Sequence, residues 1–263
     1  MIRLGFRPQG WDIHAFGRAN QANFVSEDGR TAALTSRAVV QTLEFLDDVV
    51  QSMGGMPVVT SAPGNFLTGG DAMIVHGEWF LWDLIRAETN VSYNVDFVPT
   101  PTGDQFTSWI GGWAWAIPSS ARNPSGGARL LEFLGSREFA EAFITGAQAW
   151  AEEHDELLVL PGAFYFTHPD LVREHNIPQL LQRAPQAISA LNHFLTAAGR
   201  AYRVYSRERT PIQNEVYSTT IEAWSRAVRD REAPPEVILT ELNQRLQAQL
   251  DEAWARLDAQ GAG

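Results

Sequence analysis

The 263-residue chain contains no cysteine and no lysine. Without cysteine there is no disulfide, no thiolate-held metal and no thiol nucleophile. All 20 positive residues are arginine; they face 31 Asp and Glu, for a formal charge of -11. Phosphate backbones need basic surface, so this charge argues against a nucleic-acid partner and disfavours an anionic membrane surface. No run is long and apolar enough to span a bilayer. Residues Met1 to Pro8 carry no apolar core of a signal peptide. The six His show no His-x-x-x-His or similar spacing, so no metal site is expected. Gly-x-Ser-x-Gly, a phosphate-binding loop ending in Lys and a dinucleotide fingerprint are all missing, and no cofactor is expected. What remains is an ordinary globular composition, 44% hydrophobic and 19% charged, long enough for one large domain or two small ones.

The most informative stretch runs from Gly69 to Pro118. Ala72 to Val75 is a short apolar run after paired glycines, which predicts a buried strand. Gly77 lets the chain turn, and Glu78 and Trp79 emerge at the strand's end. A second run, Tyr93 to Val98, stops at Pro99, with Pro101 and Gly103 marking a turn. The third, Trp109 to Pro118, holds Gly111 and Gly112, a pair that lets a backbone or a ligand approach closely. Trp113 and Trp115 alternate to one strand face.

Elsewhere helices dominate. Val39, Leu43, Leu46 and Val50 recur at helical spacing between Ser36, a candidate N-cap, and Gly54-Gly55. Residues 129–134 and 137–145 predict two short helices, the second capped by Ser136 and ended by Gly146. His168-Pro169 and Ile177-Pro178 predict turns. Pro234-Pro235 opens a last helix, in which Ile238, Leu242, Leu246, Leu250 and Trp254 step by four.

The order of these pieces resembles the extracytoplasmic sugar-binding proteins of ABC importers, the maltodextrin-binding proteins among them. The resemblance is carried by Gly-Asp-Ala-Met at 70–73, Gly77-Glu78-Trp79, Val98-Pro99 with Pro101-Thr102-Gly103, and the run from Gly111 to Pro118. Asn123-Pro124, Phe133-Leu134 and Ser136-Arg137-Glu138 continue it. The resemblance implies an α/β, periplasmic-binding-protein-like two-lobe fold of type II. It places Met1 past the first lobe, so an N-terminally truncated form is expected. Residues 1–108 would belong to the second lobe, 109–165 to the hinge crossing and the return to the first lobe, and 166–263 to the rest of the second. Apolar surface is expected where the first lobe's sheet would sit.

Sugars present C–H patches to aromatic rings and hydroxyls to polar groups around them. The nine Trp are generous for this length, although a Trp in an apolar run is by default a core residue. The resemblance favours Trp79 and Trp113 as stacking residues beside Gly111 and Gly112, and makes Trp115 core. It also places Trp11, His14 and Tyr217 where the family meets its sugar, with Trp224 deeper in the same helix as core. Glu78 is either a hydroxyl acceptor or a solvent-facing rim residue. For His14 the alternative is a satisfied structural histidine.

The implied function is the non-enzymatic substrate-binding subunit of an ABC carbohydrate importer. It would be a periplasmic or cell-surface monomer that takes a sugar or oligosaccharide and delivers it to membrane permease subunits. Two alternatives stand beside it: a hydrolase using paired carboxylates such as Glu78 and Asp96, and a non-functional binding-protein fragment.

Overall fold

In a computed structural model of the chain, the residues described are 4–6, 8–52, 62–77, 79–80, 83, 115–158, 160, 164, 167–183, 188 and 210–261. They fall into two compact units. The first takes the described residues between 4 and 76 and between 210 and 261; the second takes those between 77 and 188.

The first unit is built on helices. Following α1 (Asp12–Ala19), helix α2 (Arg37–Ser52) turns Val39, Leu43, Leu46 and Val50 inward, each at most 4% exposed. The spacing of three and four puts all four on one face. Against it pack a π-helical turn at Ser225–Arg229 and the 27-residue α8 (Pro235–Gly261), while α7 (Gln213–Trp224) packs on that turn, on α8 and on α1. Ile238, Leu242, Leu246 and Leu250 of α8 are 0–1% exposed, and Trp224 is core at 3%. Polar side chains of α8 also hold the backbone of the 24–34 segment. Asn243 Oδ1 accepts from Leu34 N–H at 2.8 Å, and Gln247 accepts from Ala32 N–H at 2.8 Å while donating to the Arg30 carbonyl at 3.0 Å. Trp254 Nε1 donates to the Gly29 carbonyl at 2.8 Å, with the Arg30 guanidinium 4.3 Å above its ring. One helix therefore supplies both apolar burial and backbone satisfaction.

Helix α3 (Ala62–Leu67) ends in a left-handed Gly69, φ 74°, a conformation glycine adopts without a Cβ penalty. The chain then enters β2 (Asp71–Met73), which pairs in parallel with β1 (Leu4–Phe6) in the register Leu4↔Asp71 and Phe6↔Met73. The strand begins one residue earlier than the apolar run predicts and stops at Met73. Its apolar residues are not buried: Asp71 is 4% exposed, but Ala72 is exposed and Met73 is 59% exposed, in a described sheet of two strands.

The second unit contains α4 (Pro124–Leu134), α5 (Arg137–Glu153) and α6 (Pro169–Arg183). Asn123 caps α4 by accepting from Gly126 N–H at 2.9 Å, and Ser136 caps α5 by accepting from Phe139 N–H at 3.1 Å. Three helix ends fall elsewhere than predicted. Helix α4 starts at Pro124 rather than at 129, behind the Asn123 cap. Helix α5 runs through Gly146, because Ala147, Gln148 and Ala149 favour helix enough to carry one glycine. Pro169 opens α6 rather than a turn, and Pro178 lies inside it. The helix is held on either side of Pro178 by tertiary bonds. Asn176 donates to the Leu158 carbonyl at 2.9 Å, and Gln179 accepts from Leu158 N–H at 3.1 Å. Trp115, expected as core, is 78% exposed: Trp115 to Pro118 belong to no strand, and of the four only Ile117 is partly buried, against Gly127 of α4.

Candidate ligand-binding site

Three of the residues singled out by sequence lie in the first unit, and two of them, His14 and Tyr217, meet there. The first turn of α1 is fixed by Asp12, whose carboxylate accepts from Gln9 N–H at 2.6 Å. Asp12 is 1% exposed, and burial pushes its carboxyl up to about 8, opposed by the Gln9 bond. Gln9 reaches across to donate to the Val75 carbonyl at 3.5 Å. Trp11, half-buried at the start of α1, meets the His76 ring edge-on, with centroids 4.9 Å apart at 85°. The segment before α1 and the chain leaving β2 are thereby tied together.

One turn further, His14 faces α7. Its Nε2 lies 2.8 Å from Thr220 Oγ1, and that hydroxyl donates to the Tyr217 carbonyl at 2.8 Å. A hydroxyl has one proton, so His14 Nε2 carries the hydrogen and donates to Thr220. Burial and the nearby Arg18 charge lower His14 to about 4, which keeps the ring neutral. Its face stacks on Tyr217 at 5.0 Å and 22°, while Phe24 meets it edge-on at 5.0 Å. His14 is 6% exposed and Tyr217 is partly exposed, with its phenol raised by burial. The imidazole is thus a buried support behind the tyrosine ring, and Trp11 and Tyr217 carry the accessible aromatic surface.

Trp79 belongs to the second unit and is 44% exposed. Phe80 N–H donates to the Gly77 carbonyl at 3.0 Å, closing a turn that Phe80, 3% exposed, anchors. Glu78, Gly111, Gly112 and Trp113 lie outside the described residues, as does Asp96.

Sequence reasoning did not single out Gln9, Asp12 and Thr220. A signal existed for two of them. Asp12 is an acid in the first turn of a helix, and Thr220 stands three residues after Tyr217, on the same helical face. Among the described residues, no group of three or more His, Asp and Glu could hold a metal, and no helix is long and apolar enough to cross a membrane.

Comparison with known proteins decides what this scaffold is. No family model matches the chain. Three solved structures match it over nearly its whole length. An ABC transporter solute-binding protein from Thermotoga lettingae, bound with α-D-tagatose, aligns over 94% of the chain with a TM-score of 0.63 and 17% identity. A cyclo/maltodextrin-binding protein complexed with maltotetraose gives 94%, 0.63 and 18%. The MalE maltose/maltodextrin-binding domain of Bdellovibrio bacteriovorus, bound to maltotriose, gives 95%, 0.61 and 18%.

The chain has the fold of ABC-transporter solute-binding proteins.

It spans 60% of each of those structures. By sequence, it is 30% identical over 114 residues to maltooligosaccharide ABC transporter solute-binding lipoproteins of two Streptococcus pneumoniae strains. That match covers 37% of the chain and 26% of the lipoprotein. These relatives are binding components of transporters, which is the resemblance the Gly69 to Pro118 stretch carries.

Proposed function

We propose that the chain provides the sugar-binding function of an ABC-type carbohydrate importer. It would take up a sugar or oligosaccharide by aromatic stacking and pass it unaltered to a membrane permease, from the periplasm or the cell surface. The observation that carries this reading is the fold likeness over 94–95% of the chain to proteins holding tagatose, maltotetraose and maltotriose. The partial sequence match to maltooligosaccharide-binding lipoproteins supports it from a different direction. Rings of the kind that pack on sugar C–H faces are present in each unit: half-buried Trp11 and Tyr217, the latter backed by neutral His14, in the first, and exposed Trp79 in the second. Glu78, Gly111, Gly112 and Trp113 complete the proposed contact set. The lobe division 1–108, 109–165 and 166–263 is proposed with it.

The test is a titration of intrinsic tryptophan fluorescence with maltotriose, maltotetraose and α-D-tagatose, with Trp79→Ala as control and chromatography for products. A saturable change that disappears in the variant, with the sugar recovered intact, is the expected result. Release of shorter sugars would shift the reading to a hydrolase. A folded protein that responds to none of the three would overturn it.

A further inference from the structure

The turn at 77–80 has an unusual steric feature. A Cβ built on Gly77 would fall 2.0 Å from Cζ3 of Trp79, 2.2 Å from Cη2 and 2.4 Å from Cε3. These atoms form one edge of the six-membered ring, so the indole lies across the bare Cα of residue 77, where any side chain would stand. Gly77 has no left-handed φ that would otherwise require glycine. Space for the ring is thus the reason the structure supplies for glycine here. The turn itself is fixed at both ends, by the Phe80 N–H bond to the Gly77 carbonyl and by the buried Phe80 ring. With the backbone set, the side-chain torsions of Trp79 decide where its ring faces, and contact with residue 77 selects among them.

We propose that Gly77 is a positioning residue for ligand binding: it seats the Trp79 indole in one orientation and presents the ring's other face to a sugar. This deepens the functional reading above and rests on it. A methyl group at position 77 would displace the ring, and at 44% exposure the ring has solvent to move into. Gly77→Ala therefore leaves the fold and its melting temperature unchanged while moving the indole.

Two readouts test this on the full chain. The first needs no ligand: fluorine NMR of protein labelled with 5-fluorotryptophan, the Trp79 resonance being assigned by its loss in Trp79→Phe. Gly77→Ala is expected to shift that resonance and leave the other eight of the nine tryptophan signals in place. An unmoved Trp79 resonance overturns the seat. The second is a double-mutant cycle on affinity for maltotetraose. Trp79→Ala and Gly77→Ala are each expected to weaken binding about tenfold, the scale of one good ring contact. The double variant is expected to bind no worse than Trp79→Ala alone, since Gly77 acts only through the indole. Additive losses would mean that Gly77 acts through the backbone, and the inference fails while the sugar-binding reading stands. If Trp79→Ala binds like the wild type, the platform role of Trp79 is overturned, and the resonance alone then decides whether the seat exists.

Discussion

The two units close their apolar surfaces to different degrees. In the first, α2, α7, the π-helical turn and α8 bury a continuous cluster, from Ile13 and Phe24 through Leu43 and Leu46 to Leu242 and Leu250, all 0% exposed. In the second, α5 buries Ala140, Ile144 and Ala151 on one face but carries Phe143 and Trp150 on another, at 37% and 54% exposure. Between those two rings, Gly146 has nothing within 4 Å of where a Cβ would stand, and a groove of about 440 Å³ opens beside it. Helix α4 buries no residue, and Leu130 and Phe133 are 56% and 42% exposed. The same amphipathic logic wrote both helix sets, yet in the second unit α4 and one face of α5 keep apolar side chains exposed. Apolar periodicity predicts which residues seek burial; whether they find it depends on the layer opposite.

The largest expected effect follows directly. Leu242→Ala in the first unit should cost about 3 kcal/mol, since it removes a fully buried side chain and leaves a cavity behind. Leu130→Ala in the second should change stability by no more than about 0.5 kcal/mol. Chemical denaturation of both variants checks the pair. Equal losses would mean that α4 is covered in solution and would break the comparison.

A smaller effect concerns pH, because the buried titrating groups of the site, Asp12 and His14, sit in the first unit. Asp12 is raised from 3.8 to about 8, so its stabilising contribution is complete below pH 4 and is lost as pH rises towards 8. His14 is lowered from 6.5 to about 4, so its contribution is present above 6.5 and lost as pH falls towards 4. Between pH 4 and 6.5 the two trends oppose each other. From 6.5 to 8 Asp12 acts alone, and stability should fall by about 1 kcal/mol per pH unit. Asp12→Asn, which keeps an oxygen for Gln9 N–H, should flatten that slope in melting curves taken across the window. A slope that survives the substitution would place its origin elsewhere.

How much of this was legible beforehand depends on the range of the interaction. The stripe Ile238, Leu242, Leu246, Leu250 is written in one local period, and the helix forms where the period says. The cap Ser136 acts within three residues and is equally readable; Asn123 acts over the same range but was missed, because the helix was expected to start at 129. The end of α5 was misread because Gly146 looks like a stop until the alanines beyond it are weighed. Met73 and Trp115 were misplaced because apolar character does not report whether a layer exists above it. The partnership of His14 with Thr220 spans 206 positions, and no spacing rule reaches that far. Resemblance alone brought Trp11, His14 and Tyr217 into one list; it did not tell that His14 backs the tyrosine.

The smallest expected effect separates the units at their helix starts. Ser36 and Ser136 each precede a long helix, and sequence makes both N-caps. In the second unit Ser136 Oγ accepts from Phe139 N–H, whereas in the first the Ser36 hydroxyl is buried with no hydrogen-bond partner, and its carbonyl alone joins the helix through Val40 N–H at 3.0 Å. Removing a working cap costs about 1 kcal/mol. Removing a buried hydroxyl that bonds nothing costs nothing of that kind and relieves its desolvation. Ser136→Ala should therefore lower stability by about 1 kcal/mol, while Ser36→Ala should leave it unchanged or raise it slightly. A loss at Ser36 as large as that at Ser136 would mean that its hydroxyl reaches a helix N–H in solution, and α2 would then start as its sequence suggests.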